Sequence, residues 1–172
     1  MHDLLSFIRD VPDYPKRGIL FKDITPLLGD AGALMRAVEL MAEPYRGWGV
    51  QIVAGAESRG FIFGTAIALA LKCGFAPIRK AGKLPRAVHE ISYNLEYGTD
   101  TIAMHIDAVR PGQKVLLVDD VVATGGTLRA CCDLVEKLQG DLVGISVLLE
   151  LTALGGRSRL KTPDLLRAVL KV

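Results

Sequence analysis

The chain has almost no excess charge of one sign. Its 172 residues carry 21 Lys and Arg against 19 Asp and Glu, a formal net charge of +2. That is too slight to mark a nucleic-acid footprint. Cysteine is scarce, with three residues, two of them adjacent at Cys131 and Cys132. They have neither metal-ligand spacing nor the pattern of a disulfide framework, so reduced, buried packing in an intracellular setting is expected. The N-terminus lacks a basic segment followed by a long apolar run, and no secretory signal is read there. The longest apolar stretch, residues 60–71, is too short to cross a bilayer and reads as a buried helix. Missing too are G-x-x-x-x-G-K-[ST], G-x-G-x-x-G and G-x-S-x-G, which removes the lysine phosphate loop, the dinucleotide fingerprint and the serine nucleophile elbow. His89 and His105 fit no metal or triad arrangement and are read as structural or solvated. There is no internal repeat and no low-complexity segment. Half the residues are hydrophobic and 23% are charged, which excludes disorder and leaves a substantial core.

What is present alternates between strands and helices. Apolar periodicity predicts a short helix over residues 3–9 with Asp3 as cap, and irregular structure over 11–28, where three prolines fall. An amphipathic helix follows over 32–45, then a strand over 50–54, a helix over 60–71 and a strand over 75–78. Residues 79–94 are polar, basic and aperiodic and read as a long loop. A strand is expected over 101–106, a buried strand and helix from 115 onward, and a last strand near 143–149. The order predicts a single α/β domain, residues 1–172, with a mainly parallel sheet flanked by helices.

The most informative segment is V-L-L-V-D-D-V-V-A-T-G-G-T, residues 115–127. Four apolar residues without alternation describe a strand buried on both faces. Leu128, Cys131, Cys132, Val135 and Leu138 fall on one helical face, so a helix starts near Gly126 or Thr127. The unpaired amides and dipole at that start favour an anion, and Thr124 and Thr127 add hydroxyl donors. A plain strand-to-helix turn capped by threonine is the structural alternative. Asp119 and Asp120 weigh against it, because two adjacent acids repel and a turn needs neither. Residues 55–60, G-A-E-S-R-G, form a second small-residue loop between a strand and a helix, where Arg59 can contact phosphate. Four cations lie in R-K-A-G-K-L-P-R, residues 79–86; such a cluster is commonly solvated surface, or it captures a polyphosphate.

The 115–127 segment resembles the phosphoribosyl-diphosphate (PRPP) signature of type I phosphoribosyltransferases. The likeness runs from F-K-D-I-T-P to L-L-E-L-T-A-L-G-G-R and is greatest to the adenine phosphoribosyltransferases. The resemblance implies the type I fold with a small N-terminal hood and a flexible catalytic loop. It implies purine salvage, adenine and PRPP giving AMP and pyrophosphate. Ala123, Thr124, Gly125, Gly126 and Thr127 would cradle the 5′-phosphate, while Asp119 and Asp120 bind ribose hydroxyls. Glu57, Ser58, Arg59, Gly60, Arg79, Lys80 and Lys83 would meet the pyrophosphate, partly across a subunit interface. Leu20, Phe21, Lys22 and Leu151 would bind adenine, and Glu96, beside Tyr97, would be the catalytic carboxylate. Mg²⁺ would arrive on PRPP with no direct protein ligand, reaching Asp119 and Asp120 through water. A cytoplasmic homodimer without nucleic-acid or membrane partners is implied as well. Two residues depart from the family pattern. Lys22 replaces a common arginine, which keeps main-chain readout but loses guanidinium stacking. Ala81 replaces a common proline, which is expected to loosen its loop. The rival readings are a phosphoribosyltransferase for another base, a regulatory protein that senses a nucleotide, and a structural subunit.

Overall fold

Three prolines do not keep residues 11–28 irregular. The computed structural model describes residues 3–94 and 99–172, and its contacts divide the chain into two units, one up to Leu40 and one from Met41 to Val172. In the first unit the Asp3 carboxylate accepts from the Leu5 amide at 3.1 Å and caps a single 3-10 turn, Leu4–Phe7, in place of the expected helix. Strand β1 (Arg9–Pro12) then pairs antiparallel with β2 (Leu20–Asp23), and α1 (Thr25–Gly29) follows. Proline punctuates these elements: Pro12 ends β1, and Pro26 opens α1, where its missing N–H costs nothing. Helix α2 (Ala31–Ala42) starts where the Asp30 carboxylate accepts from the Ala33 amide at 2.8 Å.

The second unit is built on a seven-stranded sheet. Its elements are β3 (Ile52–Ala56), α3 (Gly60–Leu71), β4 (Gly74–Lys80), β5 (Val88–Asn94), β6 (Thr99–His105), β7 (Lys114–Val122), α4 (Gly126–Lys137), β8 (Asp141–Glu150) and β9 (Leu166–Lys171). The strand order is β5-β6-β4-β3-β7-β8-β9. The run from β4 to β9 is parallel, whereas β6 pairs antiparallel with β4, and β5 with β6. The helices over 60–71 and from 126 stand where periodicity predicts them. Two strands do not. Part of the basic loop folds as β5, paired along its length with β6, and β9 was not expected at all. Both are edge strands, with one face open to water, so neither carries a continuous apolar run.

Val115, Leu116, Leu117 and Val118 are fully buried, as a central strand covered on both faces requires. On one face Ala54, Ile78, Val115 and Leu117 join a core with Leu128, Cys131, Leu134 and Val135 of α4. On the other, α3 lies against Phe75, whose ring meets Phe61 edge-on at 5.8 Å and fills the space at Gly64. Strands β3 and β7 are parallel neighbours, with Ile52 opposite Val115 and Gly55 opposite Val118. After β3 the chain moves to β4 on one side, while β7 lies on the other. The loops leaving β3 and β7 therefore emerge side by side at a topological switch point, the usual place for a ligand in an open α/β sheet.

Candidate functional site

A cavity of about 380 Å³ opens at that switch point, lined by Glu57, Ser58, Arg59 and residues 119–128. Its floor is the acid pair at the end of β7. Asp120 is buried; Asp119 keeps a partly open face, and its Oδ1 accepts from the Asp120 amide at 2.9 Å. The first turn of α3 presses close to this carboxylate: a Cβ at Gly60 would lie 3.0 Å from Asp119 Oδ1. Arg59 Nε stands 2.8 Å from Asp120 Oδ2. Loss of solvent raises both carboxyls above the ordinary range. Asp119 goes furthest, because its neighbour's charge adds to burial, whereas Arg59 offsets part of the rise at Asp120.

This has a measurable consequence for stability. A carboxyl raised in the folded state binds its proton over a pH window in which the unfolded chain has lost it, so stability falls as pH rises through that window. Asp119→Asn removes most of that slope. Above the window the variant is expected to be more stable than the parent by about 1 kcal/mol, the usual yield of relieving strain at a binding site. Thermal unfolding across pH checks this, and a variant whose stability falls with pH as steeply as the parent's would contradict it.

The wall of the cavity is the turn from β7 into α4. Gly125 caps α4 with φ +82°, a backbone conformation that disfavours other residues, and its carbonyl accepts from the Arg129 amide at 2.9 Å. The first-turn amides of the helix face forward without partners inside it. Thr127 Oγ1 donates to the Tyr93 hydroxyl of β5 at 3.1 Å. Behind the turn stands a second segment. The Leu151 amide donates to Val122 O at 2.9 Å, and Gly156 packs so closely that a Cβ there would strike Ala123 O and come within 2.9 Å of Gly125 N. Arg157 fixes this segment. It forks onto buried Glu150 at 2.9 and 2.6 Å and donates to Pro163 O and Leu166 O at 3.0 and 2.8 Å. That pairing holds the Glu150 carboxyl below its ordinary range. Tyr93, Gly156 and Arg157 escape a reading of the sequence. No local pattern marks them, although Gly156 and Arg157 close the L-T-A-L-G-G-R stretch of the resemblance.

The loop after β3 carries Glu57, Ser58, Arg59 and Gly60, with the Glu57–Ser58 peptide cis. Glu57 Oε2 and Oε1 accept from Arg79 Nε and Nη2 at 3.2 Å each, and Oε2 accepts from the Lys80 amide at 3.1 Å. The guanidinium holds the Glu57 carboxyl below its ordinary range. Arg79 also donates to Lys83 O at 3.1 Å, and Lys80 Nζ lies 3.4 Å from Asp100 Oδ2. The sheet therefore joins Arg79, Lys80 and Lys83 to the loop that bears Glu57. Ala81 ties this turn to β6. Its amide donates to Thr101 O at 3.0 Å, a bond that proline could not make.

The residues expected at the base divide between the two units. On β2, Phe21 meets Tyr14 edge-on at 5.1 Å, Lys22 Nζ pairs with Asp10 at 2.6 Å, and Leu20 is exposed. Leu151 follows β8 and is tied to Val122 as above. Glu96 and Tyr97 lie outside the described residues. Among the described residues, no group of three or more His, Cys, Asp or Glu side chains could hold a metal ion, and no helix is long and apolar enough to cross a membrane.

Comparison with known proteins agrees with this geometry. The phosphoribosyl transferase domain model matches residues 28–164. Adenine phosphoribosyltransferase of Rhodopirellula baltica is 55% identical over 158 residues, covering 92% of this chain and 77% of the relative. The crystal structure of adenine phosphoribosyltransferase from Rhodothermus marinus superposes with a TM-score of 0.94 at 51% identity, covering 98% of this chain and 96% of that one. The Saccharomyces cerevisiae enzyme, complexed with an imino-altritol bisphosphate and adenine, gives a TM-score of 0.92 at 37% identity over 98% of this chain and 97% of that one.

Proposed function

This chain belongs to the adenine phosphoribosyltransferase family, and we propose that it transfers the phosphoribosyl group of PRPP to adenine, giving AMP and pyrophosphate in purine salvage. The observation that carries the reading is the pair of small-residue loops on neighbouring parallel strands, with an acid pair, Asp120 buried and Asp119 partly open, between them. Ala123, Thr124, Gly125, Gly126 and Thr127 hold the 5′-phosphate through amides, hydroxyls and the dipole of α4. Asp119 and Asp120 accept from the ribose hydroxyls. Poorly solvated in the free chain, their charge favours the positive charge that develops on the sugar as an oxocarbenium-like transition state forms.

Ser58, Arg59, Gly60, Arg79, Lys80 and Lys83 receive the pyrophosphate. A carboxylate has no direct attraction for that anion, so Glu57 serves by aiming Arg79 and the Lys80 amide. Leu20 and Lys22 read the adenine edge through main-chain groups, and Phe21 offers its face; the Lys22 ammonium is engaged with Asp10, which supports main-chain readout. Glu96 either moves a proton or stabilises developing positive charge once water is excluded. The purine nitrogen then attacks the anomeric carbon as pyrophosphate departs. Paired carboxylates suit Mg²⁺ held through water, because the ion gives up its hydration shell reluctantly. Asp119 and Asp120 would hold it in that way, and bound to PRPP it neutralises the leaving group.

We extend the reading to one functional domain over residues 1–172 and to a homodimer in the cytoplasm. The family match supports the first, since it runs from one unit into the other. Ile62 and Leu69, exposed to 42% and 76% on the outer side of α3, give the second an apolar face. The three free cysteines fit a reducing compartment. Incubation with PRPP, Mg²⁺ and each of adenine, hypoxanthine and orotate tests the activity, with AMP from adenine alone as the expected product by chromatography. Turnover of another base would reassign the substrate, and tight AMP binding without turnover would make the chain a nucleotide sensor.

A further inference from the structure

We propose that Tyr93 is a positioning residue for the 5′-phosphate, acting through Thr127; the inference rests on the reading of residues 123–127 as the phosphate cradle. Tyr93 touches the cavity wall from behind. It sits on β5 opposite Asp100, its ring is half-buried against the α4 side of the sheet, and its hydroxyl lies 3.1 Å from Thr127 Oγ1. Thr127 is the second residue of α4 and lines the cavity.

The chemistry follows from counting protons. A threonine hydroxyl has one proton and two lone pairs. With the cradle free, Thr127 donates that proton to Tyr93. A phosphate offers only acceptors, so on binding Thr127 turns its proton toward the ligand. The Tyr93 hydroxyl carries a proton of its own and can donate it to the oxygen that Thr127 leaves open. The result is a chain from the phenol through the threonine to the phosphate, in which each bond polarises the next. Burial keeps the phenol above its ordinary range, so it stays protonated wherever the chain is folded and at work. Tyr93 thereby fixes the direction of the Thr127 hydroxyl without meeting the ligand.

The test compares two probes. Ribose 5-phosphate carries the phosphate that Thr127 would hold; pyrophosphate does not. In calorimetric titrations Tyr93→Phe is expected to bind ribose 5-phosphate about three- to tenfold more weakly than the parent, the range for one lost neutral hydrogen bond. Pyrophosphate affinity should stay within twofold. In a Thr127→Val background, Tyr93→Phe should add nothing further, because the relay is already broken. Equal binding of ribose 5-phosphate by parent and Phe variant, a parallel loss of pyrophosphate affinity, or additive effects in the double variant would each overturn the proposal while leaving the cradle in place. Failure of the parent itself to bind ribose 5-phosphate would overturn the cradle as well.

Discussion

Gly156→Ala is expected to lower kcat/KM for PRPP by on the order of a hundredfold, although residue 156 does not line the cavity. The added methyl would overlap Ala123 O and crowd Gly125 N and Val122 Cγ2. These are not the ends of flexible side chains. Two of the three are main-chain atoms of the phosphate turn, so the turn itself must move. A displacement of about an ångström at a site that binds by geometry costs on the order of a hundredfold. Nor can the segment bearing Gly156 retreat, since the Arg157 fork onto Glu150 and its bonds to Pro163 O and Leu166 O hold it from behind. Overpacking of this kind also costs about 1–3 kcal/mol of stability. Steady-state kinetics with varied PRPP, paired with thermal unfolding, separates the two effects. A variant with the parent's KM for PRPP would mean that the turn does not depend on its buttress.

The other large effect is expected at Glu96. Glu96→Gln keeps shape and hydrogen-bonding length while removing the charge and the capacity to move a proton. A positioned acid or base contributes about 10²–10⁴ in rate, and one preorganised electrostatic group about 10²–10³. Turnover should therefore fall by at least about a hundredfold on either assignment, while PRPP affinity stays within about threefold, because a group that acts on the transition state contributes little to ground-state binding. Single-turnover rates with direct PRPP titration distinguish this from a binding defect. Equal losses in rate and affinity, or no loss, would remove Glu96 from its role.

Arg79 and Glu57 illustrate how far the sequence reached. The resemblance names both residues as contacts to pyrophosphate, but it treats them as parallel contributors. They lie 22 positions apart and form one forked ion pair, because β4 and β3 happen to be neighbours. Ala81 makes the same point in reverse. Compared with a proline it reads as a loss of stiffness, whereas its amide has a partner across the sheet, Thr101 O, that a proline could not use.

By itself the sequence determined the centre of this protein. Four consecutive apolar residues can only be satisfied by cover on both sides, so Val115–Val118 had to be a central strand, and the apolar spacing after Gly125 had to be a helix packed on it. From those two facts come the turn, its anion-favouring amides and the acids beside it. The tertiary structure decided everything that depends on which strands are neighbours. The edge strands β5 and β9 are strands because β6 and β8 offer them partners, not because their own residues alternate clearly. Tyr93 meets Thr127 across 34 positions, and Gly156 meets Gly125 across 31. Hydrophobic period is a property of a dozen consecutive residues, whereas a hydrogen bond across the sheet depends on strand order, and strand order is fixed only when the whole core is assembled.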